Sequence, residues 1–285
     1  MRFRTEQVCK GIVAAGQSIA KSETAMRMKK ATESDVLEAD PFGNELLAHL
    51  PHVEWELLRS HSKIVTLKHA EKILNDHDLS DVTYFPLTCI ISMIAEMANG
   101  DECEYGCIGR EGMLGLHLAL SAQPLRGQAL CQVEGTAVRF DGTLLRDVST
   151  SGRAPELHRL LLRYAQASIN ILAQSAACNA LHSIRQRTAR WLLQSRDRAG
   201  ADSFALTQEF LARMLGVRRS SVTVVAGDLQ SEEVIEYSRG HIVVLNRDAL
   251  QKKSCECYQL MLEENERVFQ GGATRRERNG AIPEK

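Results

Sequence analysis

No run in the 285 residues comes near the roughly 18 apolar residues that a membrane span requires. The apolar block and cleavage site of a secretory signal are also missing. Residues 1–30 (MRFRTEQVCKGIVAAGQSIAKSETAMRMKK) are basic and short of large apolar side chains. Residues 1–40 therefore read as a mobile basic tail, with Met26 and Met28 as alternative starting points. Eight cysteines (Cys9, Cys89, Cys103, Cys107, Cys131, Cys178, Cys255 and Cys257) are too few and too scattered for a disulfide scaffold. They fit a reducing, cytoplasmic setting and read as structural thiols. The nine histidines show neither HxH nor HExxH spacing. There is no nucleophile elbow, phosphate loop or quartet of metal ligands. These absences argue against the common enzyme classes, and neither catalytic residues nor a metal is expected.

What is present is ordinary in amount and uneven in placement. Hydrophobic residues make up 44% and charged residues 25%, as in a globular protein with room for two domains. The net charge of -1 indicates no partner by itself. Between Glu71 and Glu111, however, nine acids face two bases, and between Ile184 and Arg219 eight arginines face three acids. An acidic middle and a basic C-terminal third point to the latter as the part that meets an anion such as nucleic acid.

Residues 44–60 have helical periodicity, broken at Pro51. From 61 to about 145 the pattern is strand-like: SKIVTLK, AEKIL, VTYFPLTCIISMIAEM interrupted by Pro86, ECEYGCIG and QALCQVEGTAVRF. Asn99-Gly100 predicts a tight hairpin turn, because both residues tolerate positive φ. Many short strands with such punctuation make a small antiparallel barrel or sandwich. At Pro155 the period changes to that of one long helix, PELHRLLLRYAQASINILAQSAACNALHS, about 45 Å if continuous. Leu162, Ala165, Ile169, Leu172 and Ala176 recur at three- and four-residue intervals, the spacing of a coiled-coil seam. The stripe either joins two copies of the chain or covers the barrel of its own. Its small residues, which permit close approach, favour a homodimer. IRQRTARWLLQSRDRAG forms a further amphipathic helix ending at Gly200.

LTQEFLARMLGVRRSSV (206–222) packs two helical phases around one glycine. Thr207 can cap the first helix, and Glu209 suits its first turn. Ala212 is small where a second helix crosses, Gly216 allows a sharp turn, and Val217 plugs the corner. Val222, Val225 and Leu229 mark the inner face of the second helix. Each position answers a separate steric need, and together they make a helix-turn-helix. VIEYSRGHIVVLN adds a hairpin turning at Arg239-Gly240, so the unit is a winged helix. In that geometry Arg219, Ser220, Thr223 and Val224 face base edges, and Thr207, Gln208, Arg218, Ser221 and Arg239 face phosphate.

The whole layout resembles the Crp/Fnr family of bacterial transcription regulators over roughly residues 42–258, most strongly in LTQEFLARMLGVRRSSVTVVAGDLQ and IEYSRGHIVVLNR. The resemblance implies an α+β fold: an N-terminal antiparallel β-roll like the cyclic-nucleotide-binding domain, a long dimerisation helix and a C-terminal winged helix-turn-helix. The corresponding segments are a mobile tail (1–40), the β-roll sensor (41–153), the dimerisation helix (154–183), the DNA-binding domain (184–258) and a C-terminal tail (259–285). It implies a homodimer on a partly palindromic operator, with double-stranded DNA, a second copy and, for an activator, RNA polymerase as partners. The recognition-helix arginine of the family's catabolite activator is matched by Arg219. The glutamate after it is Ser220 here and the later arginine is Val224, which implies a different operator.

The sensor half departs further from the family. Where the nucleotide-binding members hold ribose and cyclic phosphate, this chain has GREGMLG and LRGQAL. The candidate effector residues are Gly109, Arg110, Glu111, Gly112 and Arg126, but the phosphate arginine is out of register. A cyclic nucleotide is disfavoured, and no cofactor is expected. The N-terminal cysteine group of the family's iron–sulfur members is missing. Two other readings stay open: a ligand-binding module whose helix pair contacts protein, and, more remotely, an enzyme using the cysteines or the acidic middle.

Overall fold

The computed structural model describes residues 40–74, 81–120, 122 and 127–270. The expected tail at 1–39, the candidate Arg126 and residues 271–285 lie outside these.

A 3-10 turn (Pro41–Gly43) leads into α1 (Glu45–Ala48) and α2 (His52–Arg59). Asn44 starts α1 by accepting from the backbone N–H groups of Leu46 and Leu47, while its own amide donates to the carbonyls of Pro86 and Gly112. One buried side chain thus ties the helical entrance to the roll.

The roll is two antiparallel sheets. In one, β1 (Ser62–Leu67) and β3 (Val82–Pro86) flank β7 (Gly135–Asp141), with Ile64 and Phe85 both opposite Val138. In the other, the order is β2 (Lys72–Leu74), β6 (Gln128–Val133), β4 (Ile90–Glu96), β5 (Glu102–Ile108). Between the sheets lies a core of Leu67, Cys89, Ile91, Ile108, Leu114 and Cys131. Pro86 ends β3, an edge strand of its sheet, where a residue without an N–H is tolerated. Asn99-Gly100 does not form a two-residue turn. β4 stops at Glu96 and β5 starts at Glu102, and Met97 N–H donates to the Asp101 carbonyl across the connection at 2.8 Å. The Asn99 side chain bonds Asp101 at both its N–H and its carboxylate, so local polar bonding stretches the loop.

A short helix α3 (Leu116–Ala119) and α4 (Gly142–Thr150) close the roll. Then α5 runs from Pro155 to Leu181. Glu54 of α2 accepts from the backbone N–H groups of Glu156 and Leu157, so a carboxylate supplies the cap that Ala154 cannot. After Leu181 the backbone turns extended at His182, and Ser183 with Gln186 forms a capping box that starts α6 (Ile184–Ala199).

Beyond α6 come β8 (Ser203–Ala205), α7 (Gln208–Leu215), α8 (Arg219–Ser231), β9 (Ile235–Ser238), β10 (His241–Val244) and α9 (Arg247–Lys253). β10 lies between β8 and β9. The tail expected from residue 259 is instead helix α10 (Cys257–Phe269), which buries Met261 and Val268. It lies along α5, where Asn170 donates to Glu264 at 2.9 Å, and its end stacks Phe269 on His49. Its apolar positions are few and set among charges, so periodicity alone did not reveal it.

A single core joins the C-terminal half to the roll: Ile90, Ile94, Leu130 and Val133 pack with Trp191, Leu192, Leu211, Leu215 and Val222. That contact explains why every residue of β6 is buried, on both faces of the sheet.

Candidate nucleic-acid interface

Thr207 caps α7, its hydroxyl accepting from Phe210 N–H at 3.0 Å, and Glu209 lies in the first turn. Leu211, Ala212, Met214 and Leu215 are buried. Gly216 takes φ +61, where a Cβ is unfavourable, and Val217 N–H returns to the Ala212 carbonyl at 3.0 Å. Helix α8 then starts with no side-chain cap at Arg218, which leaves its first N–H groups facing outward. Val222, Val225, Ala226 and Leu229 hold its inner face.

The opposite face is free. Arg219, Ser220, Thr223 and Val224 are exposed, Val224 at 64%. Arg219 stands 3.8 Å from Glu209, an exposed pair that costs little to open. The Thr223 hydroxyl donates to Gln208 Oε1 at 2.7 Å, so Gln208 braces the two helices against each other. Arg218 and Thr207 are exposed, and Ser221 is half-buried. At the wing tip Arg239 and Gly240 adopt φ +48 and +80, the paired left-handed geometry of a two-residue hairpin. Tyr237 donates its hydroxyl to the Leu206 carbonyl and so fixes the wing beside the start of α7.

The arginine run is not one basic surface. Arg185 pairs with Asp228 and Glu232, Arg196 with Asp197 and Asp202, Arg198 with Glu111, and Arg213 with Glu102. Arg187 donates to the Leu215 carbonyl, and Arg190 to Gln194 and Met261. Among the described residues only Arg218 and Arg219 of the eight stand ready for an anion, and both sit at the start of α8.

The candidate effector residues are drawn into the fold. Arg110 pairs with Glu45 at 3.2 Å. Glu111 accepts from Gly109 N–H at 3.2 Å and from Arg198 Nε at 2.6 Å. Gly112 lies against the Tyr164 ring, where a Cβ would come within 2.3 Å of the hydroxyl. These glycines let α5 and α6 approach the roll. The larger cavity, of about 330 Å³, lies elsewhere, between the roll and α5. Met93, Tyr105, Ile108, Leu114, Gln128 and Leu172 are among its walls, and no arginine is among the described ones.

The expected dimer stripe divides. Leu162 and Ile169 are 47% and 60% exposed, and Ala176 is exposed. Ala165 and Leu172, with part of Ile169, border the cavity. A 3.5-residue pattern cannot tell a seam facing a partner from one facing the chain's own roll.

One cluster escaped the sequence reading. Cys178, His182, Cys255 and Cys257 converge where α5, α9 and α10 meet. Cys-x3-His on a helix plus Cys-x-Cys was the available signal, spread over 80 residues of chain.

Residues 186–253 match the family of Crp-like helix-turn-helix domains. This segment is a Crp-like helix-turn-helix domain. No curated protein matches the chain by sequence. Solved structures do match by shape. FixK2 from Bradyrhizobium japonicum aligns with TM-score 0.56 and 16% identity, over 68% of this chain and 98% of that one. A CRP/FNR-family transcriptional regulator from Thermus thermophilus aligns with TM-score 0.56 and 20% identity, over 67% and 98%. The c-di-GMP-responsive global regulator CLP of Xanthomonas campestris aligns with TM-score 0.55 and 17% identity, over 67% and 97%. The chain therefore has the α+β fold of the Crp/Fnr regulators, with β-roll, long helix and Crp-like domain in the expected order. Among the described residues no helix is long and apolar enough to cross a membrane.

Proposed function

We propose that the protein is a sequence-specific DNA-binding transcriptional regulator that works in the cytosol as a homodimer on a partly palindromic operator. The observation that carries this reading is α8: Val222, Val225 and Leu229 are buried on one face, and Arg219, Ser220, Thr223 and Val224 are exposed on the other. Arg219 can read guanine, and Thr223 and Val224 a thymine methyl. Arg218, Ser221, Thr207, Gln208 and Arg239 surround the places where phosphates run. The exposed Leu162 and Ile169 support a second copy along α5, which sets two recognition helices about one turn of DNA apart. RNA polymerase is a further partner if the protein activates.

The apolar cavity supports a small effector of mainly apolar character, and its described walls lack the guanidinium that a cyclic phosphate needs. The test is selection of random duplexes by the purified protein, sequenced with and without candidate effectors. Recovery of a two-fold-related motif, lost on Arg219→Ala, is the expected result. Salt-erased binding with no motif, from a monomer, refutes the reading and favours a helix pair that contacts protein.

A further inference from the structure

The four side chains where α5 meets the junction of α9 and α10 have the geometry of a coordination sphere. Cys178 lies in the last turn of α5 and His182 is the extended residue just past its end, while Cys255 precedes α10 and Cys257 is its first residue, with Glu256 between them. The Cys178 and Cys255 sulfurs are 3.5 Å apart, as are Cys257 Sγ and His182 Nδ1. All four donor atoms lie within 4.8 Å of one another. A tetrahedron with metal–sulfur bonds of about 2.3 Å and a metal–nitrogen bond of about 2.0 Å has edges of roughly 3.5–3.8 Å. Small side-chain adjustments bring the observed atoms to those edges.

We propose that these residues form a closed Cys3His site for a zinc ion. The surroundings support a coordination role over simple thiol packing. His182 turns Nδ1 toward the sulfurs and Nε2 toward Glu256, at 3.3 Å, and a carboxylate on the far nitrogen is the usual orienting partner of a metal-bound imidazole. Gln174 donates to Cys257 Sγ at 3.0 Å. Three thiolates and a neutral imidazole around a divalent ion leave one negative charge. Buried Arg190 of α6, whose field acts on Cys178, stands ready to offset it. Arg190 Nε and Arg187 Nε are buried without hydrogen-bond partners. Binding displaces three thiol protons to solvent and changes no oxidation state. With four protein ligands the site is structural. It staples the end of the long helix, next to the α5–α6 joint at Ser183, to the start of α10.

The full-length protein, purified without reductant-borne metal, is expected to carry one zinc ion per chain by elemental analysis. Cobalt exchange is expected to give the intense visible bands of tetrahedral, thiolate-ligated cobalt. Cys255→Ser and Cys178→Ser lose both signals, and Cys103→Ser, at a thiol outside the cluster, keeps them. Glu256→Gln retains the ligands and weakens zinc affinity by about 10–100-fold. If the serine variants do not fold, His182→Cys keeps four ligands and decides the matter by retaining zinc with altered cobalt bands. Background zinc with a pale octahedral cobalt spectrum overturns the proposal, and so does a Cys178–Cys255 disulfide in protein prepared without oxygen. None of these readouts depends on DNA binding.

Discussion

Removing the Glu111 carboxylate tests whether the DNA-binding half truly seats on the roll. Arg198 of α6 meets Glu111 at 2.6 Å, and the two side chains are only 10% and 12% exposed. Burial works against the Arg198 charge, but Cys107, Glu111 and Glu104 outweigh it and hold its pKa above the usual range. Glu111→Gln leaves a buried guanidinium facing a neutral amide. A buried pair broken on one side costs about 3–5 kcal/mol, and the remaining Glu104 places this case near the lower end. At about 2–4 °C per kcal/mol for a chain of this size, the expected fall in Tm is about 6–12 °C. Glu111→Leu combined with Arg198→Met removes both charges and is expected to recover most of that loss. Thermal unfolding followed by circular dichroism measures all three proteins. A fall worth less than about 0.5 kcal/mol in the single variant is the value of an exposed pair, and it refutes the seated arrangement.

Burial raises the Glu104 pKa above 4.5, and Ser92 and Trp191 are its hydrogen-bond donors. Its charge is therefore a growing cost as pH rises through the folded value. Glu104→Gln is expected to match the wild type in acid and to melt progressively higher than it toward neutral pH, as thermal melts across pH will record. Gly216→Ala forces a Cβ into φ +61 and is expected to cost about 1–2 kcal/mol by urea unfolding; an unchanged midpoint contradicts the turn geometry. Arg219→Ala is expected to cost about 1–3 kcal/mol on the preferred duplex and to relax one base position, whereas Arg218→Ala weakens all duplexes alike and lowers the salt slope by about one. Leu162→Glu is expected to shift sedimentation toward monomer, and an intact dimer places the seam elsewhere.

The helix-turn-helix was legible because its constraints are local. Ala212, Gly216 and Val222 meet steric demands within one stretch of chain, and Gly216 and Val222 behave as read. Glycine punctuation and β-branched runs located the strands for the same reason. Long-range choices were not legible. Sequence spacing could not show that Arg185, Arg198 and Arg213 would be consumed by acids up to 111 residues away. The GREG stretch read as a ligand cradle because glycines that admit a phosphate and glycines that admit a helix look alike. What decides is the partner, here Tyr164 and Arg198, and the partner lies elsewhere in the chain.

Strand β5 is where the two halves of the proposed regulator meet. Glu102 and Glu104 point to the DNA-binding half, bonding Arg213 of α7 and Trp191 of α6. The register shift between Met93 and Ile94 interrupts the alternation beside Tyr105, and Tyr105 and Ile108 line the cavity. A molecule in the cavity therefore touches the same strand that seats α6 and α7, with no longer relay needed. Contact alone does not make an effector, because a ligand that fits the seated and released arrangements equally shifts neither. The discriminating ligand is one whose fit depends on where Tyr105 stands. Its effect has to appear as a change in the cost of breaking Glu111–Arg198, since that pair closes the same interface. A compound that binds the cavity yet leaves the Glu111→Gln penalty unchanged occupies the roll without regulating it.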